Sequence, residues 1–440
     1  MCIRDIRDTL SFCYLHSQMK VVIINKSDST GGAAVVSYRL MEALMDAGVD
    51  ARMLVAEKRT DSSCVDLAAS KTALHGEFLR ERLGIYLQNG MDRGTLFKID
   101  NGADGVAVWK HPWVKEADVI CLNWINQGFV SLDGVRRLLN LGKPVVWTMH
   151  DMWNMTGICH HAGECGNWLH NCGQCPLLGE KAKPNDLSAR TWVHKEDVYL
   201  NSRRKIQFVA VSNWLADKAR MSGLLGNENV TVIPNAFRFD EGDTGFIDGF
   251  RGGKCRILFG AARLDDPVKG LPVLVRATEI LAAKHRNVAN DCELVTFGNV
   301  KNPESIAGLG IGHRHMGVLA GEAVEDLYRG GDIVVSSSLY ETLPGTLVEG
   351  QAWGCVPVAT DSGGQRDIVD HKQTGYLVPC GSLEKTAEGL AEGIAWAYNE
   401  LKKNGAALRH AMLQSARGKF GSRQVAERYI ELFRRLGVKS

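Results

Sequence analysis

The chain has 440 residues, of which 45% are hydrophobic and 23% charged; this is the composition of a folded chain with room for two or three domains, not of a disordered one. Lys and Arg number 52 against 50 Asp and Glu, a net charge of +2 that leaves no electrostatic footprint for nucleic acid, so no nucleic-acid partner is expected. No apolar run reaches the roughly 18–20 residues of a membrane-spanning helix.

Residues 1–18 lack a continuous apolar segment and a small-residue cleavage site, and are read as an N-terminal overhang or tail before Met19 in a cytoplasmic protein. An apolar run at 21–24 leads to Gly31-Gly32 and a helical pattern over 33–47. Further short apolar runs stand at 51–56, 119–122, 145–148, 208–211 and 230–233, the pattern of a parallel sheet covered on both faces. Residues 238–253 are rich in glycine and charge and lack periodicity, which marks a linker. Beyond them the alternation restarts, with strands at 256–259, 293–297, 333–336, 356–360 and 375–378. Helices are expected at 271–284, 322–329, 383–403 and 422–436. The expectation is an α/β fold of two doubly wound, Rossmann-like halves, 19–237 and 254–420. They would face a cleft lined by the carboxyl ends of their strands, with a terminal segment 421–440 packing back on the first half.

The second half holds the more informative motifs. After the strand ending at Phe259, a loop carries Arg263 and Lys269 ahead of Gly270 and a helix. Two cations at that edge form a pyrophosphate clamp; the bland alternative is two solvated surface charges. Glu341 and Glu349 follow, seven residues between them, around Pro344. If Pro344 opens a helix, the amides of Gly345, Thr346 and Leu347 are donors at its positive end. Glu349 then suits a ribose diol, or is an ordinary exposed helix carboxylate. Gly31-Gly32 and Ser362-Gly363-Gly364 each follow a strand and open a helix, where backbone approaches a phosphate or sugar. A full Gly-x-Gly-x-x-Gly is missing from the first loop, which disfavours a nicotinamide enzyme.

Arg-x5-Lys-Gly, then Glu-x7-Glu about 70 residues on, then Gly-Gly after the next strand, resembles the family 4 retaining glycosyltransferases of GT-B fold. Gly31-Gly32, His150-Asp151, Val211-Ser212-Asn213 and Ile233-Pro234-Asn235-Ala236 match the same family, over about residues 19–437. The resemblance implies that Arg263 and Lys269 bind the donor diphosphate and Glu341 the transferred sugar. Glu349 would hold the ribose, Gly345 and Thr346 add amide donors, His150 sits against the sugar, and Gly31 and Gly32 approach donor and acceptor. Ala33-Ala34 departs from the polar residue many relatives carry. The implied reaction is retaining transfer from a nucleoside-diphosphate sugar to a glycan or lipid-linked acceptor in cell-surface polysaccharide biosynthesis, with no catalytic metal. A GT-B sugar-nucleotide epimerase and a non-catalytic nucleotide-sugar-binding scaffold are the alternatives.

Cys159, Cys165, Cys172 and Cys175 lie within one Gly- and Asn-rich loop, 159–175. Four thiolates at this spacing are read as a structural zinc site. His160, His161 or His170 are possible substitutes for one thiolate, and a redox pair at Cys172 and Cys175, an iron–sulfur cluster or free thiols are the competing readings. The loop, with Trp153 before it, resembles an insertion in a bacterial polysaccharide-biosynthesis subgroup of the family. Lys181, Lys183, Arg190, Lys195, Arg203, Arg204 and Lys205 are read first as a solvated face. The second reading is peripheral contact with anionic lipid at the inner face of the membrane.

Overall fold

The structure is a computed structural model and describes residues 19–226, 228–239 and 247–438. The expected N-terminal tail and residues 240–246 of the expected linker lie outside the described residues. The chain divides into two units. The first holds the described residues up to Ala210, Ala219–Ile233 and those from Val425 onward; the second holds Val211–Lys218 and Pro234–Gln424. Among the described residues, no helix is long and apolar enough to cross a membrane.

In the first unit, the strands β1 (Lys20–Ser27), β2 (Asp50–Glu57), β3 (Val65–Leu67), β4 (Val119–Leu122), β5 (Val145–Met149), β6 (Ile206–Ala210) and β7 (Val230–Val232) form one sheet of order β3-β2-β1-β4-β5-β6-β7. All pairs are parallel, with Val21 opposite Ala51 on one side and Val119 on the other. The runs Val119–Leu122 and Val145–Met149 are buried at every residue, which explains their unbroken apolar sequence: helices cover both faces. The strand order reverses between β1 and β4, the kind of point where open α/β sheets bind ligands. The helix Ser422–Arg435 returns to this unit, where the Tyr429 hydroxyl meets Thr148 Oγ1 at 2.9 Å.

The second unit has strands β8 (Cys255–Arg263), β9 (Cys292–Asn299), β10 (His313–His315), β11 (Ile333–Ser336), β12 (Val356–Thr360) and β13 (Tyr376–Val378), in the order β10-β9-β8-β11-β12-β13 and again all parallel. Its reversal lies between β8 and β11. β8 runs past Phe259 to Arg263 through a register irregularity between Gly260 and Arg263. Arg263 therefore ends a strand and does not share a loop with Lys269. The helix expected to stop near Lys403 continues to Phe420, with a break at Asn404, where φ is −145°. Inside the unit, Arg409 and Asp332 form a fully buried ion pair at 2.7 Å, and Arg409 also donates to the Gly354 carbonyl at 2.7 Å. Two charges can be held in a core when hydrogen bonds of this kind satisfy them.

Candidate functional site

The second unit assembles its site where β8 and β11 diverge. Gly270 ends the short turn Pro267–Lys269 in the left-handed region, φ 65°, and opens the helix Leu271–Lys284. A Cβ there would lie 2.0 Å from the Ser337 carbonyl, so glycine is needed for both conformation and space. The close approach is tied from the other side: Ser337 Oγ donates to the Lys269 carbonyl at 2.9 Å, and the Leu339 amide donates to Val268 O at 2.8 Å. The turn after β8 is thereby fastened to the segment after β11. Lys269 Nζ forms an ion pair with Glu341 Oε1, which also accepts from Ser338 Oγ at 3.2 Å.

Arg263 takes other partners. It pairs with Asp266 at 3.1 Å and Asp265 at 3.6 Å. The structure thus joins Lys269 to Glu341 and gives Arg263 its own carboxylates.

Pro344 is the N-cap of the helix Gly345–Ala352 and not its first residue. The Leu347 amide donates to Pro344 O at 3.2 Å and its side chain is fully buried, so Leu347 is a packing residue. The amides of Gly345 and Thr346 occupy the first-turn positions that have no carbonyl partner within a helix. Glu349 is half-buried on the same helix, with the Tyr328 hydroxyl 3.5 Å from its Oε2. Gly363 and Gly364 serve the Glu341 segment directly. Added Cβ atoms would lie 1.9 Å from the Glu341 carbonyl and 2.0 Å from that of Thr342, and the Gly364 amide donates to Glu341 O at 2.9 Å. Their lack of side chains is a matter of backbone packing behind Glu341.

In the first unit, Gly31 has φ 90°, and added Cβ atoms at Gly31 and Gly32 would meet nothing within 4 Å. The loop is open, and only Gly31 needs glycine for its conformation. His150 follows β5, and its Nε2 lies 2.8 Å from Asn123 Oδ1, at the end of β4. With that oxygen as acceptor, the ring proton sits on Nε2 and Nδ1 is an acceptor. Burial lowers the His150 pKa to about 4 against the opposing pull of Asp151, so the ring is neutral at physiological pH. Asn123 escaped the sequence reading; a polar residue just after the apolar run 119–122, at the sheet's reversal, was the available signal.

Asp151 belongs to a buried network that was also not foreseen. His160 places Nδ1 2.8 Å from Asp151 Oδ2 and Nε2 3.0 Å from Asp100 Oδ2. Asp151 also accepts from Trp124 Nε1 at 2.9 Å and the Trp153 amide at 2.8 Å, and Asp100 is paired with Arg82. Burial alone would discharge His160, but the two carboxylates outweigh it and raise its pKa to about 10. The start of the cysteine loop is thus tethered to the corner after β5 by a charged imidazole.

The four loop cysteines fall in different surroundings. Among the described residues, no group of three His, Cys, Asp or Glu side chains suits a metal ion, and Cys159, Cys165, Cys172 and Cys175 are unbridged thiols. Cys172 Sγ accepts the Gly157 amide at 3.1 Å, while Cys175 packs with Ile85, Ile99, Ile158, Leu178 and Leu187. Without a metal, burial raises Cys159 to about 12 and Cys172 to about 11. Lys195, counted above on a basic face, is fully buried. Its ammonium donates to the carbonyls of Trp153 and Thr156 and sits 3.4 Å from the Trp153 ring centre. Burial lowers its pKa to about 7.

Residues 255–398, most of the second unit, match the family model described as Glycosyl transferases group 1. The likeness to group 1 glycosyltransferases thus lies in the second unit. Among curated proteins, the chain is similar to a D-inositol 3-phosphate glycosyltransferase of Paenarthrobacter aurescens, 23% identical over 79% of this chain and 80% of that one. An uncharacterized glycosyltransferase of Methanocaldococcus jannaschii is 27% identical over 31% of this chain, and the match spans 36% of that protein's length. Among solved structures, a pneumococcal O-GlcNAc transferase in complex with UDP and GlcNAc superposes with a TM-score of 0.64, covering 96% of this chain and 100% of that one at 11% identity. The fold is therefore of the GT-B kind, with two parallel-sheet units of the α/β class.

Proposed function

We propose that the chain moves a sugar from a nucleoside diphosphate to a hydroxyl of a glycan or lipid-linked acceptor, with retention of the anomeric configuration. The place we assign it is cell-surface polysaccharide biosynthesis. One observation carries the reading: Lys269 and Glu341 form an ion pair where β8 and β11 part, and the helix Gly345–Ala352 opens shortly after Glu341 in the chain. In this reading, Lys269 and Arg263 turn from their carboxylate partners to the diphosphate and stabilise the charge that grows as the sugar leaves. The Gly345 and Thr346 amides add donors at a helix's positive end. Glu341 accepts from the hydroxyls of the transferred sugar and Glu349 from the ribose. His150, as a neutral imidazole, sits against the transferred sugar. The acceptor attacks on the face the diphosphate leaves, and a phosphate oxygen takes its proton, so that the glycosidic C–O bond forms as the donor C–O bond breaks.

Supporting the donor class, the superposed pneumococcal transferase holds UDP and GlcNAc. The test is release of free nucleoside diphosphate that depends on added acceptor, with the product anomer assigned by proton NMR. Release without acceptor dependence, alongside epimerised sugar nucleotide, would instead identify an epimerase.

A further inference from the structure

The first unit contains a cavity of about 600 Å³ at the carboxyl ends of β1 and β2, separate from His150 and Asn123. Four cations line it, Lys26, Lys58, Arg59 and Lys71, against one carboxylate, Glu57. Two of the cations are engaged locally. Lys58 Nζ donates to the Ser62 and Val65 carbonyls at 2.9 and 2.8 Å, and Arg59 stands 3.7 Å from Glu57.

Lys26 is the unusual one. It is the penultimate residue of β1, with 8% of its surface exposed. Its ammonium donates to the Gln127 carbonyl at 3.1 Å and lies 5.2 Å from the centre of the Phe78 ring. An ammonium carries three donors, and one carbonyl and one ring face are modest compensation for a buried charge. Burial accordingly lowers its pKa, while Glu57, Glu81 and Asp100 pull the other way. Asp100 is already committed to Arg82 and His160. The cavity is closed on one side by the first turn of the helix Lys71–Gln88, whose positive end favours an anion. Leu74 and Phe78 add an apolar wall.

We propose that this cavity binds a phosphate group carried by the acceptor, with Lys26, Arg59 and Lys71 on the phosphate and Phe78 against the adjoining sugar face or chain. The inference rests on the glycosyltransferase reading for the word acceptor, but the anion site stands on its own geometry. A phosphorylated sugar and a polyprenyl-phosphate-linked sugar present the same group.

The test titrates full-length protein with glucose, glucose 6-phosphate and inorganic phosphate. In parallel, its retention is measured on phosphatidylcholine vesicles with and without a polyprenyl phosphate, and UDP, GDP and ADP binding is followed in the same samples. The expected result is at least roughly tenfold tighter binding of glucose 6-phosphate than of glucose, or retention only on the polyprenyl-phosphate vesicles. The first outcome assigns a soluble source and the second a lipid one. The exposed double variant Arg59→Glu, Lys71→Glu should lose that preference by tenfold or more and keep nucleotide binding; Lys26→Met, checked for folding by circular dichroism, should do the same. Equal binding of glucose and glucose 6-phosphate with no selective vesicle retention, or a preference unchanged in the double variant, overturns the proposal. Loss of nucleotide binding by wild-type protein that still selects glucose 6-phosphate would count against the transferase reading alone.

Discussion

Lys269 rests its ammonium on Glu341, joining the turn after β8 to the segment after β11. Both side chains are partly exposed, so the pair contributes little to stability. Its value is positional: it holds a cation and an acceptor side by side at the sheet's reversal.

Replacing Lys269 with Ala, or Arg263 with Ala, should lower kcat by about 10²–10³, the usual cost of removing one donor to developing charge, with little change in melting temperature. Steady-state kinetics on either variant check this. Rates near wild type in both would remove the diphosphate assignment.

Gly270→Ala should be damaging without touching any charge. The new methyl would press on the Ser337 carbonyl from a backbone with φ 65°. The segment bearing Lys269 must then move, at a cost of about 1–3 kcal/mol for the strained residue. Urea unfolding should show the loss, and donor KM should rise with it. A variant as stable and active as wild type would show that this close approach is not needed.

The two histidines beside Asp151 should titrate in opposite directions. His150 has its pKa lowered to about 4, so the stability it permits is complete above the ordinary imidazole value of about 6.5. That stability is lost as pH falls from there toward 4, where the unfolded chain takes up a proton the native ring refuses. His160 has its pKa raised to about 10, so its contribution is complete below about 6.5 and lost as pH rises toward 10. Imidazole ¹⁵N NMR should find His150 neutral with its proton on Nε2 at pH 6, and His160 doubly protonated at pH 8. A His150 midpoint near 6.5 would contradict the burial that lowers it.

His160→Gln should destabilise the first unit by about 3–5 kcal/mol, the range for leaving a buried charge without its partner, because Asp100 and Asp151 both lose a cation. Chemical denaturation checks this at pH 7. A loss below about 1 kcal/mol would mean Arg82 and Trp124 suffice for the two carboxylates.

Much of the fold is legible in the amino-acid order because its strands are buried on both faces and so are unbroken apolar runs. The runs at 119–122, 333–336 and 356–360 coincide with β4, β11 and β12. Arg263 is harder to place, since Gly-Ala-Ala-Arg is no apolar run and only the irregular pairing with β9 carries the strand onward. Lys269 and Glu341 are recognisable as a motif, but not as partners of each other, because 72 positions separate them. The loop with four cysteines reads as a metal site from spacing alone. In three dimensions Cys175 packs among isoleucines and leucines, Cys172 accepts the Gly157 amide, and His160, which looked like a spare ligand, is held between two aspartates. Lys195 looked like surface charge and is core, because nothing in a helix's charge pattern reveals carbonyls brought from a distant loop.

The most direct test of the central claim, that the second unit holds a nucleoside diphosphate through Lys269, Arg263 and the amides before Leu347, is a thermal-shift titration. Wild-type protein and the Lys269→Ala, Arg263→Ala double variant would be compared with UDP, GDP and ADP. Ligand binding to the native state raises the melting temperature with concentration. The account predicts a saturable rise for at least one of the three in wild type and its loss in the double variant. No rise with any of them, or an equal rise in the variant, would contradict it.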